Sequence, residues 1–273
     1  MTLRLARPLL LVGAGKMGGA LLAGWLRQGF DPASVHVQDP APGPEVAALM
    51  ASHGIRARHE ARLPAAPAVI VLAVKPQIMD DVLPRLAPLL GSQTVVLSIA
   101  AGRTLSNLAS HLPQGTAIVR AMPNTPVAIG QGITAASANS EVTPEQARSC
   151  DELLEAVGEV VWIGDEALID VATAVSGSGP AYVFLLAECL AEAGQAAGLD
   201  PELAARLARA TVAGAGELLR RSDLSPAELR QNVTSPNGTT AAALEVLMGK
   251  DGLADLMTRA VAAAAKRSRE LSS

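Results

Sequence analysis

The sequence has few aromatic residues and few cysteines. Phe, Trp and Tyr make up 2% of the 273 residues, whereas hydrophobic residues as a whole make up 49%. A core of this chain must therefore be built from Leu, Val, Ile and Ala. Cys150 and Cys189 form no metal-binding or redox spacing, which is typical of a protein in a reducing compartment. We predict a cytoplasmic protein without a metal site.

The chain also lacks a basic cluster and a long uninterrupted apolar segment. Its formal net charge of −4 argues against binding to nucleic acid. Residues 1–12 carry Arg4 and Arg7 before an apolar run, but that run is too short for a signal peptide and leads into a glycine turn. Every longer apolar stretch is interrupted by charge, proline or glycine, so we expect no membrane span.

A glycine-rich turn follows the apolar run at residues 9–12. Gly13, Gly15 and Gly18 form the pattern G-x-G-x-x-G, and small and apolar residues suited to a packed helix follow it. This context predicts a dinucleotide-binding turn, in which the three glycines serve the tight turn, the approach of the pyrophosphate and the packing of the helix. The helix N-terminus would offer its N–H groups to the phosphates. The alternative is an ordinary strand–helix turn.

Asp39 ends a predicted second strand over residues 34–38. It follows Gly18 by 21 residues, close to the ~20 residues at which a Rossmann acid reaches the ribose 2′-hydroxyl. That role favours NADH over NADPH, because a carboxylate repels a 2′-phosphate. A turn aspartate before Pro40 explains the same position.

The distribution of apolar runs predicts the fold class. Continuous runs at residues 68–74, 94–99 and 117–120 are typical of parallel strands covered on both faces. Their alternation with helical segments predicts a doubly wound, Rossmann-like α/β sheet, which ends with a strand near residues 159–164. Alanine-rich helical pattern fills the remainder. We therefore predict a dinucleotide-binding domain over residues 1–165 and an all-helical domain over residues 166–273.

The predicted helical domain has few bulky apolar residues with which to form a hydrophobic core within a single chain. Its last segment carries an apolar stripe at helical spacing, which favours packing against a partner chain. We therefore predict a homodimer. The stripe consists of Leu253, Leu256, Met257, Ala260, Val261 and Ala264.

Two glycine-rich stretches lie in the helical half, at residues 170–182 and 233–240. Small residues through a helix junction let a ligand approach the backbone. A hydroxyl-rich loop entering a helix N-terminus, as at residues 233–240, suits a carboxylate. Two elaborate helix caps are the alternative interpretation.

Five motifs of the sequence together carry a resemblance to a known family. They are Gly13-Ala14-Gly15-Lys16-Met17-Gly18, Ala73-Val74-Lys75-Pro76, Arg120-Ala121-Met122-Pro123-Asn124-Thr125-Pro126, and residues 173–182 and 233–240. Over nearly the whole chain the sequence resembles the pyrroline-5-carboxylate reductase family. Asn237 stands where the family usually has glycine, and asparagine also tolerates a left-handed backbone.

The resemblance implies the last step of proline biosynthesis, a hydride transfer from NADPH or NADH to the C=N carbon of Δ1-pyrroline-5-carboxylate that gives L-proline. It implies a homodimer that is interlocked through its helical halves, is in many members built into larger rings, and binds a small-molecule substrate. Thr173 would be catalytic, through a hydrogen bond to the ring nitrogen. The implied substrate residues are Glu166, Thr173, Ser235, Gly238, Thr239 and Thr240. The resemblance implies that Ala73, Val74, Lys75, Pro76, Ala101 and Asn232 also bind the cofactor. They join the residues predicted from the glycine turn and its spacing, which are Gly13, Ala14, Gly15, Lys16, Met17, Gly18 and Asp39.

Other functions make different demands on the residues. A β-hydroxyacid dehydrogenase needs a lysine base in the helical half, yet residues 165–240 contain no lysine. A serine-hydrolase triad or a histidine-based dehydrogenase is disfavoured, because His36, His53, His59 and His111 lie outside these motifs. A broader imine reductase would use the same site. A cofactor-sensing regulator would have no need for a second anion site at residues 235–240.

Overall fold

The apolar runs of the first half form strands of one sheet. The structure is a computed structural model that describes residues 5–272. The runs predicted at residues 68–74 and 94–99 contain strands of four residues each. The described strands are β1 (Leu9–Val12), β2 (Val35–Gln38), β3 (Ala57–Arg58), β4 (Val69–Leu72), β5 (Val95–Ser98), β6 (Ala117–Pro123), β7 (Gly132–Ala138) and β8 (Gly158–Trp162).

Several helices begin where the sequence predicts a helix start. Thr143 and Ser225 each form a capping box with the residue three positions on, and proline follows each of them. The Asp200 carboxylate accepts hydrogen bonds from the N–H groups of Glu202 and Leu203. The described helices are α1 (Lys16–Arg27), α2 (Pro44–Ser52), α3 (Met79–Leu86), α4 (Leu105–Ala109), α5 (Pro144–Glu155), α6 (Ile169–Ala172), α7 (Gly179–Ala196), α8 (Pro201–Arg221), α9 (Pro226–Asn232), α10 (Thr239–Leu247) and α11 (Leu253–Ser272).

The order of the strands confirms the predicted Rossmann-like fold. The sheet runs β3-β2-β1-β4-β5-β6-β7-β8, and every neighbouring pair is parallel except β6 and β7. The chain passes from β1 outward to β3 and then returns to β4 on the other side of β1. In doubly wound sheets such a reversal leaves a crevice at the carboxyl ends of the strands, where ligands bind.

Apolar cores cover both faces of the sheet. One core surrounds Trp25, which is fully buried and donates its indole N–H to the Leu153 carbonyl at 2.8 Å. The opposite core contains Met79 and Leu83 of α3. Because both faces are covered, consecutive strand residues are apolar, which is the pattern that the sequence shows.

Sequence reasoning misses β7 and β3. The residues of β7 are mostly glycine, alanine and serine, which have low strand propensity. The strand forms because β6 and β8 flank it on both sides, so it is specified by tertiary pairing. β3 has only two residues and is too short for a recognisable pattern.

The described residues divide into two compact units. Residues up to Gly177, together with those from Ala264 onward, form one unit, and Ser178–Ala263 form the other. The predicted domain boundary at residue 165 stays a prediction. Among the described residues of Ser178–Ala263, the buried hydrophobic ones are Ala204 and Ala208. The exposed large apolar residues of α7 are Val183, Phe184, Leu185, Leu186 and Leu190.

One helical stretch is long and apolar enough to cross a membrane by length and composition alone. It runs from Glu166 to Ala196 and includes Gly177, Gly179 and Pro180. A single stretch of this kind is weak evidence for a membrane span. A helix that buries an apolar face against another subunit has the same composition.

Candidate active site

Four strands end together at the carboxyl edge of the sheet. The register places the last paired residues of β2, β1, β4 and β5 opposite one another. The Ala73 N–H donates to the Val12 carbonyl at 2.8 Å, which ties the second loop to the first. The edge is therefore one continuous surface at the switch point. The residues that follow the four strands are Asp39, Gly13, Ala73 and Ile99.

The glycine turn leaves its backbone open at Gly15. Gly13 has φ +92°, and a Cβ there would lie 2.8 Å from the backbone of Ala73 and Val74. Gly18 packs on the Gly13 carbonyl, whereas nothing lies within 4 Å of where a Gly15 Cβ would be. The helix α1 begins at the next residue, and Gly15 provides no side-chain cap. The first N–H groups of α1 are thus available to an anionic ligand.

Asp39 sits beside this turn and is hydrogen-bonded to it. Its Oδ2 accepts the Ala14 N–H at 2.6 Å, and its Oδ1 accepts the Ala41 N–H at 2.8 Å. The carboxylate therefore fixes the geometry of the glycine turn. Each oxygen retains a further acceptor site, so the proposed contact with a ribose stays compatible with this arrangement.

Arg103, which sequence reasoning misses, joins the two loops that follow β4 and β5. Its Nη2 donates to the Pro76 carbonyl at 2.6 Å, and its Nη1 donates to Asp80 Oδ1 at 2.7 Å and Asn107 Oδ1 at 2.9 Å. Ala101 lies in the loop that carries this arginine. The segment that ends at Pro76 is thereby held in place by a half-buried guanidinium that donates to three acceptors.

The residues at this edge fit a dinucleotide. A cavity of about 740 Å³ adjoins the glycine turn and α2, with Gly15, Lys16 and Val46 among its lining residues, and its size is typical of cofactor sites. Its wall combines the accessible backbone at Gly15 and the cationic Lys16 with apolar side chains of α1 and α2, among them Ala20 and Leu49. Among the residues predicted to bind the cofactor here, Gly13, Ala14 and Gly18 are buried, Met17, Asp39, Ala73, Val74 and Pro76 are half-buried, and Gly15, Lys16, Lys75 and Ala101 are exposed.

Thr173 begins a π-helical turn that continues α6. The turn spans Thr173–Gly177, and π-turns of this kind are frequent at functional sites. The half-buried Thr173 hydroxyl donates to the Ile169 carbonyl at 2.7 Å. Since the hydroxyl proton is engaged, the oxygen is left to accept a hydrogen bond.

The end of β6 holds the π-helical turn. The Asn124 side-chain amide donates to the Ser176 carbonyl at 3.2 Å. Gly177 packs closely against Met122, whose Cε would lie 3.0 Å from an added Cβ. The motif at residues 120–126, to which sequence reasoning gives no role, thus supports the segment that carries Thr173.

Glu166 lies in an ion cluster around Arg120. Glu166 Oε1 accepts hydrogen bonds from Arg120 Nη1 at 2.9 Å and from the Leu105 N–H at 2.8 Å. Arg120 Nη2 reaches Asp170 Oδ1 at 3.4 Å. Sequence reasoning misses the roles of Arg120 and Asp170, because contacts between residues so distant in the chain leave no local pattern.

The hydroxyl-rich loop leads into α10. Ser235 is exposed, its carbonyl accepts the Gly238 N–H at 3.1 Å, and Gly238 precedes the first helical residue, Thr239, without a side-chain cap. Asn237 has φ +58°, which confirms that this asparagine adopts the left-handed backbone. Thr240 is half-buried and Asn232 exposed.

The loop residues and Thr173 belong to different compact units. Their joint action on one substrate therefore stays a prediction.

Comparisons with protein families match both halves of the chain. A family model described as "Pyrroline-5-carboxylate reductase dimerisation" matches residues 166–271. A second, described as "NADP oxidoreductase coenzyme F420-dependent", matches residues 9–102. The second match contains the glycine turn, Asp39 and residues 73–76.

Individual relatives match nearly the whole chain. A pyrroline-5-carboxylate reductase from Pseudomonas aeruginosa is 42% identical over 95% of this chain and 95% of the relative. A pyrroline-5-carboxylate reductase structure from Coxiella burnetii has a TM-score of 0.91 at 34% identity, covering 98% of this chain and 100% of that one. A pyrroline carboxylate reductase from Plasmodium falciparum, solved with NADP bound, has a TM-score of 0.83 at 30% identity, covering 98% and 99%. The chain therefore belongs to the pyrroline-5-carboxylate reductase family.

Proposed function

We propose that the chain reduces Δ1-pyrroline-5-carboxylate to L-proline, the last step of proline biosynthesis, with NADPH or NADH as the hydride donor. Family membership over nearly the whole chain is the main support. The observation in the structure that carries the proposal is the carboxyl edge of the sheet. There, one compact unit combines an open glycine turn with a hydroxyl held in a π-helical turn.

The cofactor is assigned to the carboxyl edge of the sheet. The N–H groups at the start of α1, with Lys16 beside them, would hold the pyrophosphate. Asp39 would accept hydrogen bonds from the adenosine ribose. The residues assigned to the remaining length of the cofactor are Ala73, Val74, Lys75, Pro76, Ala101 and Asn232.

The substrate is assigned to Thr173, Glu166 and the loop before α10. An imine accepts hydride more readily when its nitrogen is protonated. Because the Thr173 hydroxyl already donates to Ile169, its oxygen would accept a hydrogen bond from that protonated nitrogen. The Ser235 hydroxyl, Gly238 and the backbone N–H groups of Thr239 and Thr240 would bind the carboxylate. Glu166, whose carboxylate accepts hydrogen bonds from Arg120 and from the Leu105 N–H, would lie near the substrate.

The reaction is tested by following the loss of reduced-cofactor absorbance with fresh pyrroline-5-carboxylate. We expect oxidation of the cofactor and formation of proline. A β-hydroxyacid with oxidised cofactor serves as the control and should give no reduction. Binding of NAD(P)H without turnover would contradict the proposal and favour a cofactor sensor. Faster turnover of another cyclic imino acid would favour a broader imine reductase.

Cofactor preference is expected to depend on the Asp39 carboxylate. Asp39→Ser should raise the ratio of kcat/KM for NADPH to that for NADH about tenfold or more, since a hydrogen bond to a charged group is worth roughly 1.5–3 kcal/mol. Asp39→Asn is the matched control for the turn, because its amide oxygen still accepts the Ala14 N–H. It should also raise the ratio. An unchanged ratio in both variants would place Asp39 away from the ribose.

The chain is expected to be at least a homodimer in the cytoplasm, with dimers assembled into larger rings. The exposed side chains of α7, of which Phe184 is 68% exposed, would be buried by the second copy. Light scattering at micromolar concentration should give the mass of a dimer or a multiple of it. Phe184→Asp should lower that mass, whereas Phe184→Leu should retain it. A folded wild-type monomer would contradict the expectation.

A further inference from the structure

Arg120 is a buried residue of β6, in the compact unit that contains the sheet. Through two carboxylates it is linked to the start of α4 and to α11. Arg120 lies in β6 between Ser98 and Ser137 of the neighbouring strands, and only 4% of its surface is exposed. A buried guanidinium is strongly unfavourable unless it is paired and hydrogen-bonded. Glu166 and Asp170 provide that pairing at 2.9 and 3.4 Å.

Each carboxylate also receives a second donor from a different segment. Glu166 Oε1 accepts the Leu105 N–H at the start of α4, directly after the loop that contains Ala101. Asp170 Oδ1 accepts the Ser268 hydroxyl of α11 at 2.6 Å. The arginine is thus the centre of a cluster in which two carboxylates are each held from two sides.

The cluster lies along the helical face that includes Thr173. Asp170 and Thr173 are three residues apart and lie on one face of the helical segment, and Glu166, in the 3-10 turn before α6, pairs with the same arginine as Asp170. The turn after Thr173 is π-helical rather than α-helical. A backbone that departs from regular helix needs contacts to define its register, and Arg120 holds Asp170, three residues before this turn.

We infer that Arg120 is a positioning residue for the reaction, which fixes the Thr173-bearing turn through Asp170 and the cofactor-side loop through Glu166. The inference rests on the proposed function for its catalytic consequence. The hydrogen bonds of the Arg120 side chain go to Glu166 and Asp170, and neither reactant is assigned to it. Arg120 fixes the turn that carries Thr173 relative to the loop that contains Ala101. Substrate and cofactor, which are assigned to these two segments, must come together for hydride transfer.

Hydrogen–deuterium exchange tests the placement without reference to activity. Arg120→Lys keeps the charge but loses the planar fork that reaches both carboxylates. We expect faster exchange at residues 169–177 and 100–105 and little change elsewhere. Arg267→Lys is the matched control, since Arg267 pairs with Glu270 at 3.0 Å on an exposed surface. If Arg120→Lys does not fold, Asp170→Asn replaces it, with increased exchange expected at residues 169–177.

Kinetics separate positioning from a general loss of stability. Arg120→Lys should lower kcat about tenfold, because small misplacements of reacting groups are costly, while the substrate KM changes little. In a Thr173→Val background the same change should lower kcat no further, since both substitutions disable one group.

Unchanged exchange at residues 169–177 would overturn the inference, as would independent, multiplying effects of the two substitutions on kcat. An inactive wild-type chain would instead overturn the proposed function, and the exchange experiment would still decide whether Arg120 holds the turn.

Discussion

Thr173→Val is expected to lower kcat about ten- to a hundredfold while leaving the fold intact. A hydrogen bond to a charged group is worth roughly 1.5–3 kcal/mol, and the Thr173 oxygen would stabilise only the protonated form of the bound imine, which is the form that accepts hydride. An interaction that is stronger in the transition state than in the bound substrate appears in kcat. Valine keeps the shape of threonine, so steady-state kinetics with saturating cofactor can be compared directly with wild type.

Ser235→Ala is the partner variant for the other end of the substrate. If Ser235 only anchors the carboxylate, its loss should raise KM about tenfold or more and leave kcat nearly unchanged, which is the mark of uniform binding. Thr173→Ser, which keeps the hydroxyl, should retain most of the activity. If Thr173→Val and Ser235→Ala both behave like wild type, the substrate binds elsewhere.

Gly13→Ala is expected to lower the stability of the fold, whereas Gly15→Ala is expected to weaken cofactor binding. At Gly13, φ +92° costs an L-residue about 1–2 kcal/mol. The contact of the new Cβ with the backbone of Ala73 and Val74 adds about 1–3 kcal/mol. Gly13→Ala should therefore lower the melting temperature and the activity together.

Gly15→Ala is the matched comparison at the same turn. Gly15 has φ −72° and open space where its Cβ would be, so the fold should be as stable as wild type. The added methyl would occupy the path of the pyrophosphate, and the cofactor Kd should rise about tenfold or more. Equal loss of stability in both variants, or unchanged cofactor binding in Gly15→Ala, would contradict the assignment of this turn.

The parts of the fold that follow local rules were predictable from the sequence. The glycine turn, the parallel strands and the capped helix starts at Thr143 and Ser225 each depend on a few consecutive residues. β7 was not predictable, because its weak strand propensity is overcome by neighbours on both sides.

The candidate site likewise has parts that were predictable from the sequence and parts that were not. The motifs that contain Gly15, Thr173 and Ser235 are local and could be found by their residue types. The supporting contacts are not local: Arg120 meets Glu166 46 residues away, and Arg103 meets Pro76 27 residues away. A single sequence cannot show such partners, since neither spacing nor composition marks them.

Transfer of deuterium tests the central claim most directly. The chain would be incubated with pyrroline-5-carboxylate and cofactor that carries deuterium at both C4 positions of the dihydronicotinamide. The proposed function predicts L-proline with one deuterium at the former imine carbon, in equal amount to the cofactor oxidised. Oxidation of the cofactor without deuterium in proline, or no turnover by a chain that binds both reactants, would contradict it.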